Sequence, residues 1–157
     1  MKNVIICSLY ANPLSFHHLT YLEASKNFDN NYDNNTLVVI INSDIQVSLK
    51  NNIPFLDENT RLRIVQSLKF VDITILSKDE DTSVSKTINY IYNSYNEGQN
   101  WYFMNGGPLI FNDKENKTCE LLGIKRRYGV GGDKKIESSS WIIERAAKEW
   151  CRRKLDL

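Results

Sequence analysis

Cysteine is scarce in this chain of 157 residues, and the three present, Cys7, Cys119 and Cys151, are odd in number, far apart and without metal-ligand spacing. That excludes a disulfide framework and a zinc site, and leaves reduced thiols that pack like small hydrophobes. Neither sign of charge dominates: twenty Lys and Arg stand against nineteen Asp and Glu, a formal charge of +1. No field is available to hold a polyanion over a broad surface, so nucleic acid is not an expected partner. Long apolar runs are missing too. No stretch reaches the roughly 20 residues of a membrane span. The opening run from Val4 to Ala11 contains Ser8 and meets Asn12-Pro13 at once, which reads as a first core strand rather than a secretion signal. The expectation is a soluble protein of the cytoplasm or another intracellular compartment, with no membrane partner. The sequons at Asn34 and Asn116 then read as accidents of an asparagine-rich chain. Repeats and linkers are absent as well, which leaves a single domain over 1–157.

What is present is a regular alternation of strand and helix signals, the pattern of a parallel sheet with crossover helices. Residues 3–9 are apolar and β-branched, and 36–41 form a continuous apolar run, so both predict central strands buried on two faces. Between them 18–28 carries Leu19, Leu22 and Ala24 on a helical stripe, and 29–35 reads as a loop. Pro54 precedes a helix over 57–69 that repeats Leu62, Ile64, Val65 and Leu68 at three- and four-residue spacing. A strand at 73–76, a helix at 83–95 ended by Gly98 and an aromatic strand at 101–104 follow. A short helix near 118–122 and a fifth strand around 124–128 come next. The last helix, 140–154, is amphipathic, with Ile142, Ile143, Ala146, Ala147 and Trp150 predicted to face inward. Right-handed crossovers with one reversal give a three-layer α/β sandwich with a five-stranded parallel sheet in the order 3-2-1-4-5. Its ligand crevice would open where strands 1 and 4 diverge, bordered by the turns at 12–18 and 105–109.

Those turns carry the most distinctive residues. The first reads Asn12-Pro13-Leu14-Ser15-Phe16-His17-His18-Leu19. Further on come Val39-Ile40-Ile41-Asn42-Ser43-Asp44, Leu49-Lys50, Pro54-Phe55 and Asp57-Glu58-Asn59-Thr60-Arg61-Leu62. Ser67-Leu68-Lys69-Phe70-Val71-Asp72, Asn105-Gly106-Gly107 and a closing passage over 129–143 that includes Ser138-Ser139-Ser140-Trp141-Ile142-Ile143 complete the series. In this order the passages resemble the cytidylyltransferase-like nucleotidyltransferases of the HxGH type. They are most similar to the glycerol-3-phosphate cytidylyltransferase and heptose-1-phosphate adenylyltransferase branch. The resemblance covers nearly the whole chain and implies a Rossmann-like fold.

It also implies a chemistry, attack by a substrate phosphate on the α-phosphorus of CTP or ATP with release of pyrophosphate. The partners are then a nucleoside triphosphate and a small phosphorylated alcohol or sugar, with Mg²⁺ brought by the nucleotide and no metal ligands from the protein. A homodimer or larger assembly is compatible with the resemblance. His18 and Lys50 carry over as catalytic residues. Asn12, Ser15, His17, Arg61, Gly106, Gly107, Ser138, Ser139 and Ser140 carry over as nucleotide-binding positions, suited to stabilising negative charge on phosphates.

Three departures point the other way. Ser15 stands where the family has the first His, His17 where it has a Gly, and Pro108-Leu109-Ile110 where the branch has an Asp-Arg pair. A hydroxyl cannot supply positive charge, and an imidazole at 17 either fills the space or replaces the missing one. The alternative is therefore a catalytically inactive pseudoenzyme kept as a nucleotide-binding, regulatory or structural subunit. Each retained residue also has a structural explanation: Asn12-Pro13 as a turn, His18 as a helix cap, the serines as a helix start, and Lys50 and Arg61 as solvated charges. A third reading, a protein-interaction module with Trp101, Tyr102, Trp141 and Trp150 as a docking surface, competes with core packing of the same aromatics.

Overall fold

The computed structural model describes residues 1–95, 99–109, 113–132 and 138–155. Gly98, Ile110 and the 133–137 part of the closing passage lie outside them.

The two strands with the strongest apolar signal, β1 (Asn3–Leu9) and β2 (Asn35–Ile41), pair in parallel through all seven residues. β3 (Ile73–Leu76) joins the outer side of β2, while β4 (Asn100–Met104) joins the other side of β1 and carries β5 (Lys125–Arg127) at its edge. The order is β3-β2-β1-β4-β5, all parallel, as the alternating pattern predicts. Period-two alternation sorts the strand residues between two cores. Ile5, Cys7, Leu37, Val39 and Met104 pack with Tyr21 and Leu22 of α1 (Phe16–Lys26) and Val65 of α3 (Glu58–Gln66). Val4, Ile6, Val38, Ile40 and Phe103 pack with Ile88 and Ile91 of α4 (Ser85–Asn93) and Cys119 of α5 (Lys114–Leu122). Burial pushes both the Cys7 and Cys119 thiols up to about 11. Reactive thiolates are disfavoured there, in keeping with packing roles.

Several boundaries move, and in each case a local cap moves them. α1 starts at Phe16, two residues before the predicted start, because Ser15 caps it, and it stops at Lys26. Asp113 starts α5 at Lys114 rather than near 118. Ser83 does not open α4, since its N–H and hydroxyl both donate to Asp81 Oδ1 in a turn. The helix α2 (Asp44–Leu49), capped by a reciprocal box between Ser43 and Gln46, was not predicted. Within the predicted loop, Asn35 is instead the first, buried residue of β2, where its amide hydrogen-bonds Asn3 and the carbonyls of Lys26 and Phe28.

The largest correction concerns the last helix, α6 (Ser139–Leu155). None of its residues is buried, Trp150 is 65% exposed, and only Ile142 and Ile143 of the predicted inward face are partly covered. The helices already packed on the sheet are α1 and α3 on one face and α4 and α5 on the other. α6 is instead held by pairs along its own surface, Glu144 with Lys148 and Glu149 with Arg152 and Arg153. Lys154 lies over the Trp150 ring. Trp150→Ala is accordingly expected to change the unfolding free energy by no more than about 0.5 kcal/mol in a denaturant titration.

Candidate functional site

The chain leaves β1 through a tight turn in which Ala11 has a φ of 49° and the Asn12–Pro13 peptide is cis. Asn12 is buried, and its amide holds the segment before α3. Nδ2 donates to the Ile53 carbonyl at 2.9 Å, and Oδ1 accepts from the N–H of Phe55 at 2.7 Å. Ser15 then caps α1. Its hydroxyl accepts from the His18 N–H, and its own N–H donates to His18 Nδ1 at 3.0 Å, closing a capping box in which His18 takes the place usually held by Glu or Gln. An Nδ1 that accepts from a backbone N–H fixes the neutral ring as the Nε2–H tautomer.

Across the sheet, the loop after β4 meets the segment after β5. The N–H of Val130 donates to the Asn105 carbonyl and that of Gly129 to the Gly107 carbonyl. Gly131 lies against the backbone of α1 with a φ of 88°, and a Cβ there would stand 2.9 Å from Tyr21 Cα. Gly131→Ala is therefore expected to destabilise the fold by about 1–3 kcal/mol in a denaturant titration, because the neighbour is backbone and cannot swing aside.

Between these loops lies a cleft with two lobes. One, of about 690 Å³, is lined by Tyr10, His17, His18, Tyr21, Gly106, Gly107 and Pro108. The other, of about 540 Å³, is lined by Tyr10, His17, His18, Lys50, Ile53 and the three serines at 138, 139 and 140. Tyr10 and the two imidazoles belong to both lobes, so they form the partition between them. Ser138 accepts from the N–H of Trp141 in the manner of an N-cap, and the Ser139 hydroxyl donates to the Pro13 carbonyl. The start of α6 is thereby tied to the turn before α1, and two helix N-termini border one cleft. Lys50 stands at the rim with Nζ 4.9 Å from the centre of the Tyr10 ring. Burial raises the Tyr10 phenol above its ordinary pKa, with Glu115 adding to the rise and Arg61 opposing it.

His17, His18, Lys50, Gly106, Gly107, Ser138, Ser139 and Ser140 are thus brought together. Ser15 is beside them, with its hydroxyl in the cap. Asn12 lines the second lobe with its amide engaged by the segment before α3. One predicted contact stands behind the site: Arg61, read as a solvated charge or a phosphate contact, is only 1% exposed. Its guanidinium donates to the carbonyls of Leu56, Tyr10 and Asn42 and to Asp44 Oδ1. Sequence reasoning missed Tyr10 and Tyr21 as lining residues. Tyr21 lies one helical turn beyond His18, on the same face, and that spacing was the available signal. Arg126 of β5 reaches toward the loop after β4, where it donates to Asn105 Oδ1 and pairs with Asp113. In a separate depression of about 570 Å³ between α4 and α5, Lys114 pairs with Asp81, and Asp79 accepts from the N–H groups of Lys86 and Thr87.

No family model and no curated protein matches the chain. Among solved structures, the crystal structure of the lipopolysaccharide core biosynthesis protein from Thermoplasma volcanium GSS1 is similar. The TM-score is 0.60 at 24% sequence identity, over 82% of this chain and 94% of that one. The fold is Rossmann-like α/β. In such a sheet the crevice outside the carboxyl ends of strands that run to opposite sides is the position for a ligand, and the two-lobed cleft occupies it between β1 and β4. Among the described residues no group of three or more His, Cys, Asp or Glu is placed to hold a metal ion. Likewise, no helix among them is long and apolar enough to cross a membrane.

Proposed function

We propose that this protein binds a nucleoside triphosphate across the two lobes and transfers its nucleotidyl group to a small phosphorylated alcohol or sugar, releasing pyrophosphate. The observation that carries this reading is the convergence of the α1 and α6 N-termini, two imidazoles and Lys50 on one crevice at the strand-order reversal. Such groups favour an extended phosphate chain in a site that is partly screened from water. The lobe lined by Tyr10, Tyr21 and Pro108 suits the nucleoside. The lobe with Lys50 and the serines suits phosphates and the acceptor. The resemblance in sequence order to the cytidylyltransferase-like superfamily supports the same assignment, with CTP or ATP as donor. Among the described residues the cleft's one lining carboxylate, Glu144, is paired with Lys148, which leaves Mg²⁺ to be held by phosphate oxygens.

Within this reading the chain's own residues bind and orient. Lys50 neutralises phosphate charge, the 138–140 hydroxyls and the α6 N-terminus hold the phosphates, and His18 presents Nε2–H to the reacting phosphate from a ring fixed by Ser15. No covalent enzyme intermediate is involved.

Two observations favour the inactive alternative. The Ser15 hydroxyl is used in the helix cap, and the described part of the loop after β4 brings no charged side chain to the cleft. Titration calorimetry with CTP and ATP in Mg²⁺, followed by pyrophosphate-release assays with glycerol 3-phosphate and sugar phosphates, separates the two. Binding with release supports the transferase, binding without release supports a nucleotide-binding subunit, and absence of binding to either nucleotide overturns the transferase and leaves the structural subunit.

A further inference from the structure

The lobe that holds Lys50 and the serines is not polar throughout. Ser138, Ser139 and Ser140 around the start of α6 and Lys50 at the end of α2 offer hydroxyls and a cation, but Ile53 and Ile143 line the same lobe. Ile53 is 82% exposed although its backbone is fixed, with its carbonyl accepting from Asn12 Nδ2, and Leu49 and Phe55 near it in the chain are exposed too. Isolated apolar side chains on a surface need no explanation, whereas a group of them at the rim of a cleft does. Ile143 also begins a stripe. Ile143, Ala146, Ala147 and Trp150 recur at the three-, four- and seven-residue spacings of one helix face, and of these four only Ile143 is partly covered. Seven residues of helix carry that stripe about 10 Å from the lobe to Trp150. A sugar or glycerol phosphate would leave the stripe bare, since hydroxyls find neither donors nor acceptors on the side chains of Ile53, Ile143 and Ala147. A lobe with phosphate-binding groups that opens onto an apolar stripe is amphiphilic, and so is the molecule that fits it.

We propose that the acceptor is an amphiphilic phosphomonoester, a hydrocarbon chain that ends in a phosphate. Its phosphate lies at Lys50 and the 138–140 hydroxyls, and its chain passes over Ile53 and Ile143 onto the α6 stripe as far as Trp150. The inference rests on the reading of the cleft as a nucleotidyltransferase site and deepens it by naming the class of acceptor. A phosphate oxygen of the acceptor forms the new bond to the α-phosphorus of the nucleotide. The bond from that phosphorus to the oxygen bridging to the β-phosphate breaks, its electron pair leaves on pyrophosphate, and the chain takes no part in the chemistry. Burial of the chain selects the acceptor, and it gives a role to the face of α6 that covers nothing in the fold.

The test uses the full chain and the n-alkyl phosphates from ethyl to octyl, below the concentrations at which they form micelles, with glycerol 3-phosphate beside them. Calorimetry is run with CTP or ATP and Mg²⁺ present, and pyrophosphate release is followed with the same acceptors. Affinity is expected to rise about 2- to 4-fold per added methylene, the range from partial to full burial of the group. Octyl glucoside, with the same chain and no phosphate, is expected to bind about 10- to 100-fold more weakly than octyl phosphate, for want of the charged head. Ile53→Ser and Trp150→Ala each flatten the dependence on chain length, Trp150→Ala only for the longer chains. Both side chains are mostly exposed, so the thermal midpoints of the variants are expected to stay within about 2 °C of wild type. Turnover of glycerol 3-phosphate with no gain from added methylenes overturns this inference and leaves the transferase reading standing. A gain that survives in both variants puts the chain elsewhere and overturns it, as does octyl glucoside binding as tightly as octyl phosphate. A dimer in sedimentation that Trp150→Ala breaks would give the stripe to a second copy, and would overturn it as well. If neither nucleotide binds, the transferase reading falls and this one falls with it.

Discussion

Arg61→Met is expected to destabilise the protein by about 3–5 kcal/mol, the usual cost of removing one partner of a buried ionic network. The guanidinium is 1% exposed and joins four elements of the site's support. It donates to Tyr10 in the turn after β1, to Asn42 after β2, to Leu56 before α3 and to Asp44 at the start of α2. Methionine fills similar volume but leaves three carbonyls without this donor and a carboxylate without its cation. Arg61→Lys is expected to lose most of the same amount, because an ammonium cannot reproduce the planar fork that reaches all four acceptors. Denaturant midpoints check both, since an effect of this size is a large share of the 5–15 kcal/mol typical of a whole domain. The opposite outcome is informative. If Arg61 served as a solvent-facing phosphate contact, both variants would unfold at the wild-type midpoint and the lysine variant would keep ligand affinity.

His18→Ala is expected to lower turnover in the pyrophosphate-release assay about 10²- to 10³-fold, the usual loss when one preorganised stabiliser of transition-state charge is removed. A smaller structural effect accompanies it. The variant loses the side-chain half of the capping box, in which His18 Nδ1 accepts from Ser15 N–H, while the Ser15 hydroxyl still receives the backbone N–H at 18. About 1 kcal/mol of stability is at stake in such a cap. The two effects separate in practice. A stability change of that size leaves the protein folded at assay temperature, so a loss of turnover beyond tenfold belongs to the chemistry and not to unfolding. Equal turnover in wild type and variant would remove His18 from the mechanism.

Both predictions depend on placements that the linear sequence expresses unequally. The strands were legible because apolar, β-branched runs have few alternatives: 3–9 and 73–76 coincide with β1 and β3, and 36–41 misses only Asn35 of β2. The strand order followed from crossover handedness and is the observed one. The meeting of the turns after β1 and β4 was legible for the same reason, since it follows from topology alone. Helix ends were less so, because a cap depends on which side chain turns back to the backbone. Ser15 and Asp113 do so, while Ser83 is held in a turn by Asp81. The inward face of α6 misled because amphipathic periodicity says which residues share a face, not whether anything covers that face. Trp150, Ala146 and Ala147 share the predicted face and stand exposed, since the packed helices of both layers come from elsewhere in the chain.

The sequence by itself determined the α/β class, the order of the sheet and the stretch of chain at which a ligand site would form, because these follow from local periodicity and chain connectivity. Only the tertiary structure decided which polar residues face that site. Arg61 lies behind it as a clamp, whereas Tyr10, Asn12, His17 and Tyr21 line it. Burial and hydrogen-bond partners belong to segments distant along the chain. An arginine sealed among carbonyls and one free to meet a phosphate carry the same letter until those segments come together.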